Sequence, residues 1–266
     1  MIHLKLPNEI AKLRSAAELV GKTLGEVAKY VRPGITTFEL DQIAEDYILS
    51  HNARPAFKGY PGPHPDHPFP GSLCLSVNEV VVHGIPNDYV LQEGDILSVD
   101  CGAELDGFFG DFAYTFAIGE ITPDKKALLK VTAESLYEGI DRARAGNRVG
   151  DIGYSVQQYC ESRGFGVVKE LVGHGVGRAL HEDPQIPNHG KRGDGKKLRE
   201  GLTICIEPMI NAGTEKVCFM EDGWTVKTED GKAAAHYEHM VCVRKGVPEI
   251  ISMWDYIEEV VTPPYK

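Results

Sequence analysis

Glu93-Gly94-Asp95-Ile96-Leu97-Ser98-Val99-Asp100 is followed, 107 residues later, by Glu200-Gly201-Leu202-Thr203-Ile204-Cys205-Ile206-Glu207. Both stretches read as a polar turn, an apolar β-branched strand and a closing carboxylate. Each opens a larger unit with one further carboxylate, Asp111 in the first and Glu238 in the second. The helical patterns upstream repeat as well. Ile10, Leu13, Ala17, Val20, Leu24, Val27 and Val31 fall in steps of three and four, which predicts a helix stopped by Arg32-Pro33-Gly34. Thr36 with Glu39 reads as a capping box, and Leu40, Ile43, Ala44, Tyr47 and Ile48 continue the second helix. About 112 residues on, Thr122-Pro123 starts a helix through Leu128, Val131 and Ile140 that ends near Arg144-Ala145-Gly146. Another follows, with Ile152, Val156, Tyr159 and Cys160 inward and Gly164 as its stop. These patterns predict an internally duplicated α+β chain with halves at roughly 1–118 and 119–266. No Pro/Gly/Ser linker or charge run separates the halves, so one domain over 1–266 is expected.

Composition narrows the function. The chain has 266 residues, 28 Lys+Arg and 39 Asp+Glu, a formal charge of −11 with no basic patch. DNA or another phosphate backbone is therefore a poor partner. No apolar run approaches the roughly 20 residues of a membrane-spanning helix, and the N-terminus turns polar too early for a signal peptide. The six cysteines show no CxxC or CxxH spacing and read as free thiols of a cytoplasmic protein. The short basic stretch Lys191-Arg192, Lys196-Lys197 and Arg199 reads as a solvated loop, and it leaves a transient ribosome contact open.

The carboxylates are out of place for a purely structural role. Asp100 and Glu207 end apolar strands, Asp111 adjoins Phe112, and Glu238 precedes Met240-Val241-Cys242-Val243. A carboxylate in or beside a core strand is costly unless paired or metal-bound. One alone reads as a strand-end residue facing water; four at duplicated positions read as a metal site. His174, in Gly173-His174-Gly175, joins them as a candidate ligand on a tight glycine loop. Four carboxylates and one imidazole without thiolate suit hard or borderline divalent ions, and are enough for two ions roughly 3.5–4 Å apart. Metal-assisted hydrolysis is the chemistry this implies.

With Val77-Asn78-Glu79-Val80-Val81-Val82-His83-Gly84-Ile85-Pro86, His181-Glu182-Asp183-Pro184, Ile206-Glu207-Pro208-Met209, Asp222-Gly223-Trp224-Thr225-Val226-Lys227-Thr228 and Tyr237-Glu238-His239, the chain resembles the type I methionine aminopeptidases over almost its whole length. The resemblance implies a pita-bread fold: two pseudo-symmetric αβ halves with a curved antiparallel sheet and outer helices. It implies Asp111 and Glu238 bridging two divalent ions (Co, Mn, Fe or Zn), with Asp100 completing one site and His174 and Glu207 the other. It also implies removal of initiator methionine from nascent polypeptide N-termini by a monomer, a small second residue being preferred. A hydroxide between the ions would attack the scissile carbonyl, and Glu207 would act as general base. His181 would donate to the carbonyl as it becomes tetrahedral, and His83 would hold the scissile nitrogen. Tyr60, Phe69, Cys74 and Trp224 match the methionine pocket, with Leu180 where an aromatic is common. Read alone, those residues are equally core packing.

Two features depart from the family pattern. Pro63-His64-Pro65-Asp66-His67-Pro68 is an additional proline-rich stretch beside the expected pocket, either narrowing its entrance or forming an indifferent surface loop. The 33 residues from His174 to Glu207 leave no room for a type II insertion, and with the first helix so near residue 1 the zinc-binding extension of eukaryotic type I members is not expected. The competing expectations are an X-Pro aminopeptidase or prolidase, and a non-catalytic pita-bread binding protein. The first usually carries a long N-terminal domain, and the second loses ligands.

Overall fold

The computed structural model describes residues 2–62 and 66–266. The chain begins with α1 (Pro7–Ala28) and α2 (Thr37–Ser50), then β1 (Arg54–Pro55), β2 (Leu73–Val77) and β3 (Val80–Val82). A long hairpin follows, β4 (Ile96–Leu105) and β5 (Phe108–Ala117). The second run opens with α3 (Pro123–Arg142) and α4 (Val149–Glu161), then β6 (Gly166–Val167), β7 (Val172–Gly175) and β8 (Glu182–Pro187). It closes with β9 (Thr203–Ile206), β10 (Met209–Asn211), β11 (Val217–Phe219), β12 (Val226–Thr228), β13 (Ala234–His236), β14 (His239–Cys242), β15 (Glu249–Ile250) and α5 (Asp255–Glu258).

Local chemistry recurs at the 112-residue spacing. Thr36 Oγ1 accepts the Glu39 N–H at 3.1 Å, while Glu39 accepts the Thr36 N–H at 2.8 Å, closing the capping box of α2. At the matching start of α4, Asp151 accepts the Arg148 N–H at 2.7 Å. The glycines before these two helices, Gly34 and Gly146, both take positive φ, 93° and 107°. Thr122 caps α3 and Pro123 fills its first position.

Every named strand pairing is antiparallel. β4 pairs with β1, β2 and β5, and the second half carries the five-stranded order β15-β14-β9-β7-β8. The hairpin closes at Asp106-Gly107, both at positive φ, as a two-residue primed turn demands. The main core lies between these sheets and the helices, and contains Leu24, Leu40, Val99, Cys101, Phe112, Leu128, Ile152, Val156, Ile204 and Val241. The two sheets meet where Glu238 N donates to Ala113 O at 3.1 Å. This is the pita-bread architecture that the sequence reading anticipated.

Two local expectations are corrected. Asp100 does not end its strand, because β4 runs on to Leu105. The ten-pair ladder with β5 carries the chain past Asp100, with Val99 and Cys101 on the core face. His174 is not on a loop. It sits within β7, where the register against β8 shifts between Gly173 and Gly175. That bulge turns a strand residue toward the cleft.

Candidate metal centre

Asp100 pairs across the β4–β5 ladder with Ala113, and Asp111 lies two residues from that partner. A period of two therefore puts both carboxylates on one face, diagonal to each other, opposite Val99 and Cys101. In the second sheet His239 pairs with Ile206, so the next position of that register sets Glu238 opposite Glu207. The Glu238–Ala113 hydrogen bond brings the two carboxylate pairs together.

His174 enters from β7. Its Nδ1 donates to the Gly175 carbonyl at 2.9 Å, which leaves the Nε2 lone pair facing the carboxylates. Nε2 is 3.5 Å from Asp111 Oδ2 and 3.6 Å from Glu207 Oε1. The glycines on either side are required sterically. A Cβ at Gly173 would lie 2.4 Å from Cys205 O, and one at Gly175 2.4 Å from Asp183 O.

Donor atoms of Asp111, His174, Cys205 and Glu238 lie within 4.8 Å of one another, as do those of Glu207, His236 and Glu238. Asp100 falls in neither tight group, although its carboxylate faces the same space. Asp100 Oδ1, Asp111 Oδ1, Glu238 Oε1 and His236 Nε2 are buried without a hydrogen-bond partner. Among the described residues the ion-pair partners of these carboxylates are His174 and His236, with no Lys or Arg. Buried acceptors converging without donors are strongly disfavoured unless a cation joins them. The donor set thus fits divalent ions.

The electrostatics agree. Burial pushes Asp100 up to about 7. Burial, then repulsion from neighbouring carboxylates, pushes Asp111, Glu207 and Glu238 well above the usual range. Burial lowers His174 and His236 to about 3 and His83 to about 4, so all three are neutral imidazoles. A stability prediction follows for metal-free protein. Between pH 7 and 8 these histidines are neutral when folded and mostly neutral when unfolded, and contribute only a small opposing slope. The folded carboxylates still hold protons that the unfolded chain has lost, so stability falls as pH rises. Thermal denaturation of chelated protein should show a lower midpoint at pH 8 than at pH 7, and saturating divalent metal should remove most of that drop. Equal midpoints without metal would contradict the raised values.

A cleft of about 1010 Å³ opens over these groups. Phe69, Cys74 and Leu180 are buried in one apolar cluster with Phe57, and Tyr60 and Trp224 pack against it. Sequence thus named a wall that the fold assembles, but missed Phe57. The Tyr60 hydroxyl is 2.5 Å from His181 Nδ1, and the His181 and His174 rings lie 4.3 Å apart. His83 is held at φ 57°, uncommon for a residue with a side chain, and meets the Trp224 ring edge-on at 6.3 Å. Asp222 holds the turn below by accepting the Trp224 and Thr225 N–H groups, each at 2.8 Å.

Pro63, His64 and Pro65 of the proline-rich stretch lie outside the described residues. His67 O accepts the Trp224 Nε1–H at 3.0 Å, so the end of the stretch borders the pocket wall. Two further residues were missed from sequence. Lys5 forms a buried ion pair with Glu182, whose other oxygen accepts the Arg178 N–H at 2.8 Å, fastening the segment that carries His181. Nothing in the sequence pairs residue 5 with residue 182. His236 did leave a signal, since it stands two residues before Glu238.

Comparison with known proteins agrees with this geometry. Residues 11–245 match the metallopeptidase family M24. The chain is 50% identical to a methionine aminopeptidase of Clostridium acetobutylicum over 254 residues, covering 95% of this chain and 99% of the relative. It superposes on the crystal structure of methionine aminopeptidase from Rickettsia prowazekii with a TM-score of 0.91 and 40% identity, covering 95% of this chain and all of that one. An X-Pro aminopeptidase from Thermotoga maritima shares the fold alone, at 20% identity and a TM-score of 0.73, covering 94% of this chain and 62% of that one. Fold, ligand-rich cleft and full-length identity converge: the chain belongs to metallopeptidase family M24, among its methionine aminopeptidases.

Proposed function

We propose that this chain removes the N-terminal methionine of newly made polypeptides, using two divalent ions held by Asp100, Asp111, His174, Glu207 and Glu238. The observation that carries this reading is the convergence of two buried and two half-buried carboxylates, with no Lys or Arg partner among the described residues, beneath an apolar pocket. Asp111 and Glu238 would each serve both ions, Asp100 would complete one ligand set, and His174 and Glu207 the other. When bound, the ions polarise the scissile carbonyl and make a water acidic enough to be nucleophilic near neutral pH.

The remaining steps belong to side chains. Glu207, a carboxylate at the centre, accepts the proton of the attacking water. His181 donates to the carbonyl oxygen as negative charge grows on it. The Tyr60 hydroxyl, donating to Nδ1, leaves the single imidazole proton on Nε2, the form that this role requires. His83, neutral and fixed against Trp224, holds the scissile nitrogen and helps it leave. Tyr60, Phe69, Cys74 and Trp224 enclose the methionine side chain, where a polarisable thiol and aromatic faces suit a thioether.

We further assign residues 1–266 to one catalytic domain of two related halves, 1–118 and 119–266, because each half supplies two of the carboxylates. The enzyme acts as a cytoplasmic monomer on nascent N-termini with a small second residue. The ions are Co, Mn, Fe or Zn; cellular supply decides among these more than ligand identity does. The test is release of free amino acid from Met-Ala-Ser and Ala-Pro-Ala. Rapid cleavage of the first alone is expected, with activity lost on chelation and restored by Mn, Fe or Co. Preferential cleavage of Ala-Pro-Ala would establish an X-Pro enzyme instead, and inertness under all metals a binding protein.

A further inference from the structure

His236 is a titratable side chain in the cleft to which the mechanism above gives no part. It ends β13, only 2% exposed, and its backbone is fixed from both sides. Its N–H donates to Thr115 Oγ1 at 3.2 Å, and its carbonyl accepts from the same hydroxyl at 2.6 Å. Its Nε2 is buried and has no hydrogen-bond partner. That atom lies 3.9 Å from Glu207 Oε2 and 4.0 Å from Glu238 Oε2, too far for a hydrogen bond to either.

The arrangement around Glu207 is two-sided. Its Oε1 faces His174 Nε2 at 3.6 Å, and its Oε2 faces His236 Nε2. A buried imidazole nitrogen with no partner costs free energy unless a ligand satisfies it. Metal–ligand bonds of roughly 2.0–2.2 Å allow one ion to span donors about 4 Å apart. His236 Nε2 lies within that span of both carboxylate oxygens, and one donor from each of Glu207, His236 and Glu238 lies within 4.8 Å of the other two.

We propose that His236 is an additional nitrogen ligand of the metal centre, binding the ion on the Glu207–Glu238 side through Nε2. The centre then has two imidazoles, His174 and His236, where the five-residue set supplies one. Imidazole favours late borderline ions such as Co and Zn, while an all-oxygen shell favours Mn. His236 accordingly shifts the preference of one site away from Mn.

This rests on the proposed metal centre, and the test separates the two. Wild-type protein is loaded with Co(II), and the paramagnetically shifted, exchangeable imidazole N–H resonances are counted by proton NMR. Two such resonances are expected, falling to one in His236→Gln; one resonance in wild type overturns the proposal. Competition against a chelator should show Co(II) affinity falling at least about 10-fold in His236→Gln, the lower end for loss of even an outer metal-shell partner. Mn(II) affinity should fall less. Equal losses for both ions, or an unchanged count in the variant, would also overturn it. The wild-type count needs no variant, so a folding failure of His236→Gln leaves the proposal testable. Wild type that binds no Co(II) at all would instead refute the metal centre itself.

Discussion

Asp111→Asn is expected to release both ions and to lower methionine-releasing activity by more than about 10³-fold, since a metal cofactor supplies several kcal/mol of transition-state stabilisation at roughly 1.4 kcal/mol per tenfold. Asp111 is buried among other donors: it faces His174 at 3.5 Å, and its Oδ1 has no hydrogen-bond partner. Its backbone is tied into the ladder beneath and donates to Met240 Sδ at 3.3 Å, so the substitution changes charge and coordination rather than position. Metal analysis after dialysis is the deciding measurement. Retention of two ions per chain would refute the bridging assignment. The fold is checked separately, because metal-free Asp111→Asn should be more heat-stable than metal-free wild type at pH 8, one of four mutually repelling carboxylates having gone.

His83→Ala should behave in the opposite way, keeping both ions while turnover falls by roughly 10²–10⁴-fold, the usual size of a general acid–base contribution. His83 is not among the residues that gather at the carboxylates; it is fixed by its backbone at the end of β3 and by Trp224 across the pocket. The comparison of kcat with KM is informative here. A group that acts on the leaving nitrogen lowers kcat and kcat/KM together, whereas a mere wall residue raises KM alone. Wild-type turnover in His83→Ala would remove it from the mechanism.

The two-fold plan was legible because it is written in local chemistry. Caps, glycine stops and strand periods recur at 107 and 112 residues, and each acts within a few positions of itself. The four carboxylates and His174 were legible for a related reason, since ionisable groups beside core strands contradict their surroundings and so announce a site. The strand that continues past Asp100 and the bulge at His174 were not legible. Both are set by backbone pairing with the neighbouring strand, Phe108–Ala113 for the one and Glu182–Pro187 for the other, and residue type does not encode that register.

Residue order alone therefore indicated which chemistry the chain carries: a duplicated α+β frame, a candidate acidic ligand set and a family resemblance that full-length comparison bears out. Folding decided how those groups face one another. It set Asp100 diagonal to Asp111, joined Glu238 to Ala113 across the halves, placed Tyr60 on His181 and fastened Lys5 to Glu182. It also aimed His236 at the carboxylates. The physical reason is that side-chain identity is local, whereas burial, partner distance and the pKa that follows from them depend on which segments the fold packs together, several of them more than a hundred residues apart.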